Sequence, residues 1–302
     1  VMKFNFLRKP AAPAPNPEVT ALLAEVQDLK NLLTEQNAHT AAVLKQVETQ
    51  TRLMDGLRNA ALHPLREEIF STMRNRQLSM FDTLKTVREE RLSLARFGDG
   101  ELRLALYPDF DIKFQQNSVA LREELLEAMG SQDLPLLITF PEASRDRFWT
   151  DFWTNHWHRL KPLVEQQPRL GHTQVTRREF FGTYRQSAVE AWRSVWEGRD
   201  ALLVAGKGSR FTMVDDLFGS LNSITRFDAP ASNAFDDLDS IVESIIAEKP
   251  DLVLAALGPA GTLLAYRLAR HGIQTLDIGH ITAIWQQVFE GAGTPESLPS
   301  VR

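Results

Sequence analysis

The sequence predicts an α/β protein, a mostly parallel sheet preceded by an N-terminal coiled-coil helix. Three observations carry this. Apolar residues repeat at heptad spacing over residues 18–60. From about residue 91, short apolar runs alternate with helix-length segments, an order that implies right-handed crossovers and parallel strands. Several of those runs end in glycine turns, the usual exit from a buried parallel strand.

The elements follow in chain order. Residues 10–17 (PAAPAPNP) form a Pro/Ala stretch that favours an extended, solvated backbone, so residues 1–17 are expected to be a disordered leader. Between 18 and 60, Val19, Val26, Leu33, Val47 and Met54 occupy one seam position; Leu22, Leu29, Val43 and Leu57 occupy the other. Gln36, Thr40 and Gln50 interrupt the seam with polar groups. A seam of this length predicts a coiled coil and a homo-oligomer; the alternative is an amphipathic helix folded back on the domain. Residues 61–90 read as a helical connector in which Pro64 marks a break or a fresh start. Strands are expected at 92–97, 134–139, 199–205, 223–228, 250–257 and 274–277, and helices at 148–166, 238–248 and from 259 to about 270, all within a domain spanning 91–290. Residues 291–302 are expected to be a flexible tail.

Composition narrows the function. A 302-residue chain that is 43% hydrophobic has ample material for a core. The net charge of −5 gives no reason to expect a nucleic-acid partner. No cysteine is present, which excludes disulfides, zinc–thiolate sites and a cysteine nucleophile. No apolar run is long enough for an integral membrane segment or a signal-peptide core, and a cytoplasmic location is expected.

Four strand ends carry loop chemistry: Gly98-Asp99-Gly100-Glu101, Gly206-Lys207-Gly208-Ser209, Gly258-Pro259-Ala260-Gly261 and Gly279-His280. Ligands of open α/β sheets bind beyond the carboxyl ends of the strands, so neighbouring strands would bring these loops to one crevice. If the segment is extended, Asp99 and Glu101 point the same way and can face one Mg2+ or Mn2+; the plain alternative is a helix N-terminus rich in acids. The loop at 206–209, with Lys207 and Arg210, suits a phosphate but matches neither a Walker loop nor a full dinucleotide fingerprint. Gly258, Pro259, Gly261 and Thr262 open a helix whose N-terminus suits an anion. His280 could ligate a metal, act as a base or be structural. The tryptophans at 149, 153, 157, 192 and 196 recur at helical spacing, as core residues do.

Six ordered segments resemble the GT-D-type glycosyltransferases. ARFGDGEL at 95–102 is similar to that family's metal-binding Asp-x-Glu segment. Phe114-Gln115, Thr176-Arg177, LLVAGKGSRF at 202–211 with Asp216-Leu217-Phe218, APASNAF at 229–235, and ALGPAGTLLAYRLARHGIQTLDIGHI at 256–281 follow in the family's order. The resemblance covers about residues 90–285. It implies one Rossmann-like domain and a metal-dependent transfer of a hexose from a UDP-sugar to a glycan or glycoprotein. By the same resemblance Asp99 and Glu101 would serve the metal and the diphosphate as catalytic ligands; His280, at a strand end beside the Gly258 loop, is a candidate third ligand or catalytic group, and Asp215 and Asp216 are candidates for the base. Donor contacts would come from Arg96, Gly98, Arg177, Gly206, Lys207, Gly208, Ser209, Arg210, Asn233, Gly258, Pro259, Gly261 and Thr262. The chain departs from the family pattern at Thr212–Asp216, at Gly261 and at Thr282-Ala283-Ile284, where relatives carry acidic residues. Those departures leave a second reading open, a non-catalytic coiled-coil assembly protein that binds a nucleotide or glycan. An oxidoreductase on a similar sheet is disfavoured by the incomplete glycine fingerprint.

Overall fold

The computed structural model describes residues 16–144, 146–209 and 211–293. Most of the expected leader, Arg210 and the end of the expected tail lie outside the described residues. The chain divides into two units, the first ending at His63 and the second beginning at Pro64.

Helix α1 runs unbroken over Pro17–Arg74, so the expected break at Pro64 does not occur. A proline costs its helix one hydrogen bond and crowds the carbonyl four residues back. That residue, Ala60, is exposed, so water can serve the displaced carbonyl. Pro162 sits inside α5 under the same condition, with exposed His158 four residues back. In the first unit, none of residues 16–63 is buried, and seam residues Leu29 and Met54 are 65% and 67% exposed.

The second unit holds α2 (Met80–Glu89), β1 (Ser93–Arg96), α3 (Asp99–Leu106), α4 (Val119–Gly130), β2 (Leu136–Phe140), α5 (Arg147–Gln166) and β3 (Gly171–His172). A 3-10 turn at Thr173–Thr176 leads to α6 (Arg178–Tyr184) and α7 (Gln186–Trp196). Then come β4 (Asp200–Gly206), α8 (Asp215–Phe218), β5 (Ser223–Ala229), α9 (Leu238–Glu248), β6 (Leu252–Ala256), α10 (Pro259–Ala269), β7 (Thr275–Asp277) and α11 (Ile281–Phe289). The strands form one parallel sheet in the order β3-β2-β1-β7-β6-β4-β5.

Both faces of the sheet are covered, which is why its central strands read as continuous apolar runs. One face packs on α3, α4, α5, α9 and α10, joined by Ile69 and Met73 from the end of α1. The other packs on α2, α6, α7, α8 and α11. Trp153, Trp157, Trp192 and Trp196 are buried in these layers, as their spacing predicts.

Candidate active site at the carboxyl ends of the strands

Adjacent strands whose connections leave to opposite faces open a crevice between them. β4 leads to α8 on one face, β6 to α10 on the other, and β7 to α11 on the first again. A cavity of about 280 Å³ lies there, lined by Gly206–Ser209, Pro230, Ala231, Leu257, Gly258, Gly279, His280 and, on α11, Thr282, Ala283 and Gln286. Three of the four expected loops therefore meet in one cavity.

The loop after β4 is shaped by its glycines. A Cβ on Gly206 would lie 3.3 Å from the Cα of Ala231, and Gly208 turns the chain at φ +68°. The Lys207 N–H donates to the Ala229 carbonyl at 2.7 Å, and the Ser209 N–H to the Gly206 carbonyl at 2.8 Å. Arg226 on β5 braces the loop by donating to the Gly206 carbonyl and the Ser209 hydroxyl, a role invisible without the strand pairing. Lys207 is exposed and lines the cavity.

Asn233 does not line the cavity. It clamps a neighbouring segment: its N–H donates to the Phe114 carbonyl at 2.8 Å, and its Oδ1 accepts from the Gln116 N–H at 2.9 Å. Asn233 sits at φ +50°, a left-handed conformation that asparagine tolerates better than most residues. Gln115 Oε1 accepts from the Phe235 N–H at 3.3 Å. The clamp sets the Phe114 ring in the cavity wall against Gly258, where a Cβ would fall 2.5 Å from the ring. The expected donor contact of Asn233 is thus replaced by a supporting one.

Beneath the Gly279-His280 turn lies a buried polar network. Arg96 and Asp277 are 5% and 3% exposed, with Nη1 and Oδ1 3.7 Å apart. Asp277 also accepts from the Thr262 hydroxyl at 2.9 Å and the Gly279 N–H at 3.1 Å. Burial, the largest influence, pushes the Asp277 carboxyl up to about 6 against the attraction of Arg96. Burial also lowers Arg96, with nearby Arg177 adding to the effect and Asp277 and Glu101 opposing it. Gly279 stands at φ +49°, and a Cβ there would collide with the Arg96 guanidinium. Arg96 and Thr262 therefore support the cavity from below rather than line it. The Thr262 hydroxyl also lies 3.0 Å from the Arg96 carbonyl, so its single proton is shared between that oxygen and Asp277, tying α10 to β1. Pro259 and Gly261 are likewise buried in α10, with Gly261 packed on Ala255 and Leu257.

Asp99 and Glu101 are half-buried and occupy the first turn of α3, not an extended segment. Residues two apart in a helix diverge by roughly 200°, so the strand-based argument that both face one ion fails. Glu101 Oε2 instead accepts from the Gly98 N–H at 3.0 Å, capping the helix. Gly98 takes part through this backbone group alone, and Gly100 makes room for Ile112, whose Cδ1 would lie 3.1 Å from a Cβ. Glu101 acts electrostatically on both Arg96 and Asp277, but neither Asp99 nor Glu101 lines the cavity. Among the described residues no three His, Cys, Asp or Glu side chains gather into a ready-made metal site, so Asp99, Glu101 and His280 do not form one. Two carboxylates nevertheless suit Mg2+ or Mn2+, which commonly take one or two protein carboxylates and fill their shells with phosphate oxygens and water.

Arg177 begins α6, half-buried and within electrostatic reach of Arg96. Asp216 lies on the short helix α8, exposed and absent from the cavity wall; no geometric support for a catalytic role appears. Sequence reasoning missed Phe114 as a wall, Arg226 as a brace and Asp277 as the centre of the buried network.

Residues 94–292 match the family described as Glycosyltransferase GT-D fold, and the chain belongs to that family. It is 32% identical over 232 residues to Glycosyltransferase GlyD of Streptococcus pneumoniae serotype 4 (strain ATCC BAA-334 / TIGR4), covering 70% of this chain and 28% of that protein. It is 29% identical over 231 residues to the probable glycosyl transferase Gly of Streptococcus gordonii, covering 71% and 33%. The chain thus spans about a third or less of these relatives' length. A solved structure described as domain of unknown function 1792, with a distinct glycosyltransferase fold, superposes with a TM-score of 0.65 at 27% identity, covering 76% of this chain and 87% of that one. A glycosyltransferase of the same domain type from Streptococcus sanguinis gives 0.63 at 28% identity, covering 72% and 85%. Among the described residues no helix is long and apolar enough to cross a membrane.

Proposed function

We propose that the protein transfers a hexose from a UDP-sugar to a glycan or glycoprotein acceptor, with Mn2+ or Mg2+ bound at Asp99 and Glu101. The observation that carries this is the meeting of the β4, β6 and β7 turns in one cavity, with the Asp99–Glu101 turn at the end of β1, the strand next to β7, in a chain of the GT-D fold. Phe114, Leu257 and the small residues Ala231 and Ala234 offer an apolar wall for a base, and Lys207 a cation for a diphosphate. Glu101 keeps a second carboxylate oxygen beyond the one that caps α3. Charge growing on the departing diphosphate would be offset by the divalent cation, by Lys207 and by the N-terminus of α11. His280, at that N-terminus and in the cavity wall, can donate to a phosphate oxygen.

Calorimetric titration with UDP tests the reading. Affinity is expected to rise at least about tenfold when Mn2+ replaces EDTA, roughly 1.4 kcal/mol. Equal affinity in both buffers would count decisively against it. A second reading, non-catalytic binding, is favoured by one feature: α11 presents neutral Thr282, Ala283 and Gln286 to the cavity. UDP binding with no UDP release from any UDP-hexose would select it.

The first unit supports an oligomer of this chain. Its exposed seam of Val19, Leu22, Val26, Leu29 and Leu33 continues through Val43, Val47, Met54 and Leu57. Burying one such side chain gains roughly 1.5–3 kcal/mol, and a lone helix offers it nothing to pack on. Light scattering is expected to show a multimer that becomes a monomer when residues 1–60 are deleted. The same oligomeric state in both proteins would refute the assignment.

A further inference from the structure

Strand order lays the site out along one edge. The cavity spans the ends of β5, β4, β6 and β7; the Asp99 turn follows at β1; β2 and β3 lie beyond it. Asp99 and Glu142 each stand three residues past a paired position, Arg96 and Thr139, on adjacent parallel strands, Asp99 in the first turn of α3 and Glu142 in the loop after β2. Such strands lie about 5 Å apart. The ends of β1 and β2 are tied by the Phe97 N–H, which donates to the Thr139 carbonyl at 3.1 Å, and the end of β3 is tied to β1 by the Thr173 hydroxyl, which donates to the Phe97 carbonyl at 3.0 Å.

Glu142 itself is held firmly. Its N–H donates to Gln174 Oε1 at 3.2 Å, and its carbonyl accepts from Trp153 Nε1 at 3.2 Å. Its carboxylate remains exposed. His172 is buried, with Nε2 3.6 Å from Glu142 Oε2. Nδ1 of His172 accepts from the Gln174 N–H at 3.3 Å. A neutral imidazole that accepts at Nδ1 carries its proton at Nε2, so its N–H faces the carboxylate.

We propose that Glu142 is the base that takes the proton from the acceptor hydroxyl, and that buried His172 is the positioning residue that orients it. The assignment rests on the donor reading above. The acceptor oxygen forms its bond to the anomeric carbon while its proton passes to the Glu142 carboxylate. The bond between the anomeric carbon and the diphosphate oxygen breaks, and its electron pair leaves with UDP. His172 holds the Glu142 carboxyl below its ordinary value, against the opposing effect of partial burial. The carboxyl is thereby held in its ionised form, the form that accepts a proton, at some cost in basicity. Nothing in the sequence marks this pair, because its members lie thirty residues apart and meet only through the β2–β3 pairing.

The test uses UDP-glucose, UDP-galactose and their N-acetylamino counterparts with Mn2+ and water as the acceptor, reading UDP release, and calorimetry with UDP. Glu142→Gln is expected to slow release by at least about 100-fold, within the range for a lost general base, while UDP affinity stays within twofold of wild type. His172→Leu is expected to lower the rate and to move the acid limb of the pH–rate profile upward. His172→Gln, which keeps an N–H donor towards Glu142, should recover much of both. Unfolding curves identify any variant that fails to fold, and Glu142→Gln, on an exposed side chain, supplies the decisive arm. Unchanged release by Glu142→Gln, or an equal loss of UDP affinity, overturns the assignment. So does a wild-type protein that binds UDP but hydrolyses no donor. Absence of UDP binding by wild type instead removes the donor reading on which the assignment stands.

Discussion

Asp99→Asn and Glu101→Gln are each expected to cut sugar transfer on the order of 10³-fold, the loss of roughly 4 kcal/mol of transition-state stabilisation. Both should leave the melting temperature nearly unchanged. The conservative substitutions matter, because Glu101 also caps α3 through the Gly98 N–H. Glutamine can still accept that bond, whereas alanine would add the cost of a lost cap, about 1 kcal/mol. A clean result therefore separates binding from folding: activity and the Mn2+ dependence of UDP affinity disappear together while circular dichroism melts overlay. Full activity in either variant would remove that residue from the metal site.

The largest loss of stability is expected from Asp277→Ala. It strips the buried Arg96 guanidinium of its closest carboxylate and leaves the Thr262 hydroxyl and the Gly279 N–H without their acceptor. Removing one member of a buried ion pair typically costs about 3–5 kcal/mol, a large share of a domain's total stability. Replacing both partners, Arg96→Met with Asp277→Leu, should restore much of the loss. Denaturant titrations of the three variants measure this directly. The pH dependence has a definite sign. Because the folded-state Asp277 carboxyl is raised to about 6, the native protein holds this proton to higher pH than the unfolded chain does. Stability from this group is greatest below the ordinary carboxylate range and is lost as pH rises through about 6. Asp277→Asn should flatten that part of the curve; an unaltered slope would show that the carboxyl does not titrate there.

The α/β architecture was legible because β4 and β6 are apolar runs closed by glycine turns, and β7 ends in one too. Glycines 208, 258 and 279 adopt positive φ, a requirement that sequence expresses openly. β3 was not legible: two residues carry no periodicity, and only pairing with Thr139 and Phe140 makes Gly171 and His172 a strand. The Asp99-Gly100-Glu101 turn was found but its geometry was misjudged, since a strand end and a helix start share the same acidic, glycine-containing sequence. Thr262 and Asn233 have structural partners that the sequence did not announce. Each looks like a polar residue in a ligand loop, yet its partners are Arg96, Asp277, Phe114 and Gln116, far away in the chain. Long-range contact decides such roles, and one sequence does not display it.

The position of β7 sets the order in which the molecule can be completed during synthesis. β7 is three residues long and fills the slot between β1 and β6. β1 is made some 180 residues earlier, which at ordinary elongation rates is roughly 10–40 s. During that interval β1 keeps an unpaired inner edge, joined by the edge of β6 only for about the last 20 residues, an arrangement prone to pairing with the wrong neighbour. A nascent chain that stops short of α11 lacks His280 and the wall formed by Thr282, Ala283 and Gln286. The cavity wall is therefore complete only once α11 has been made.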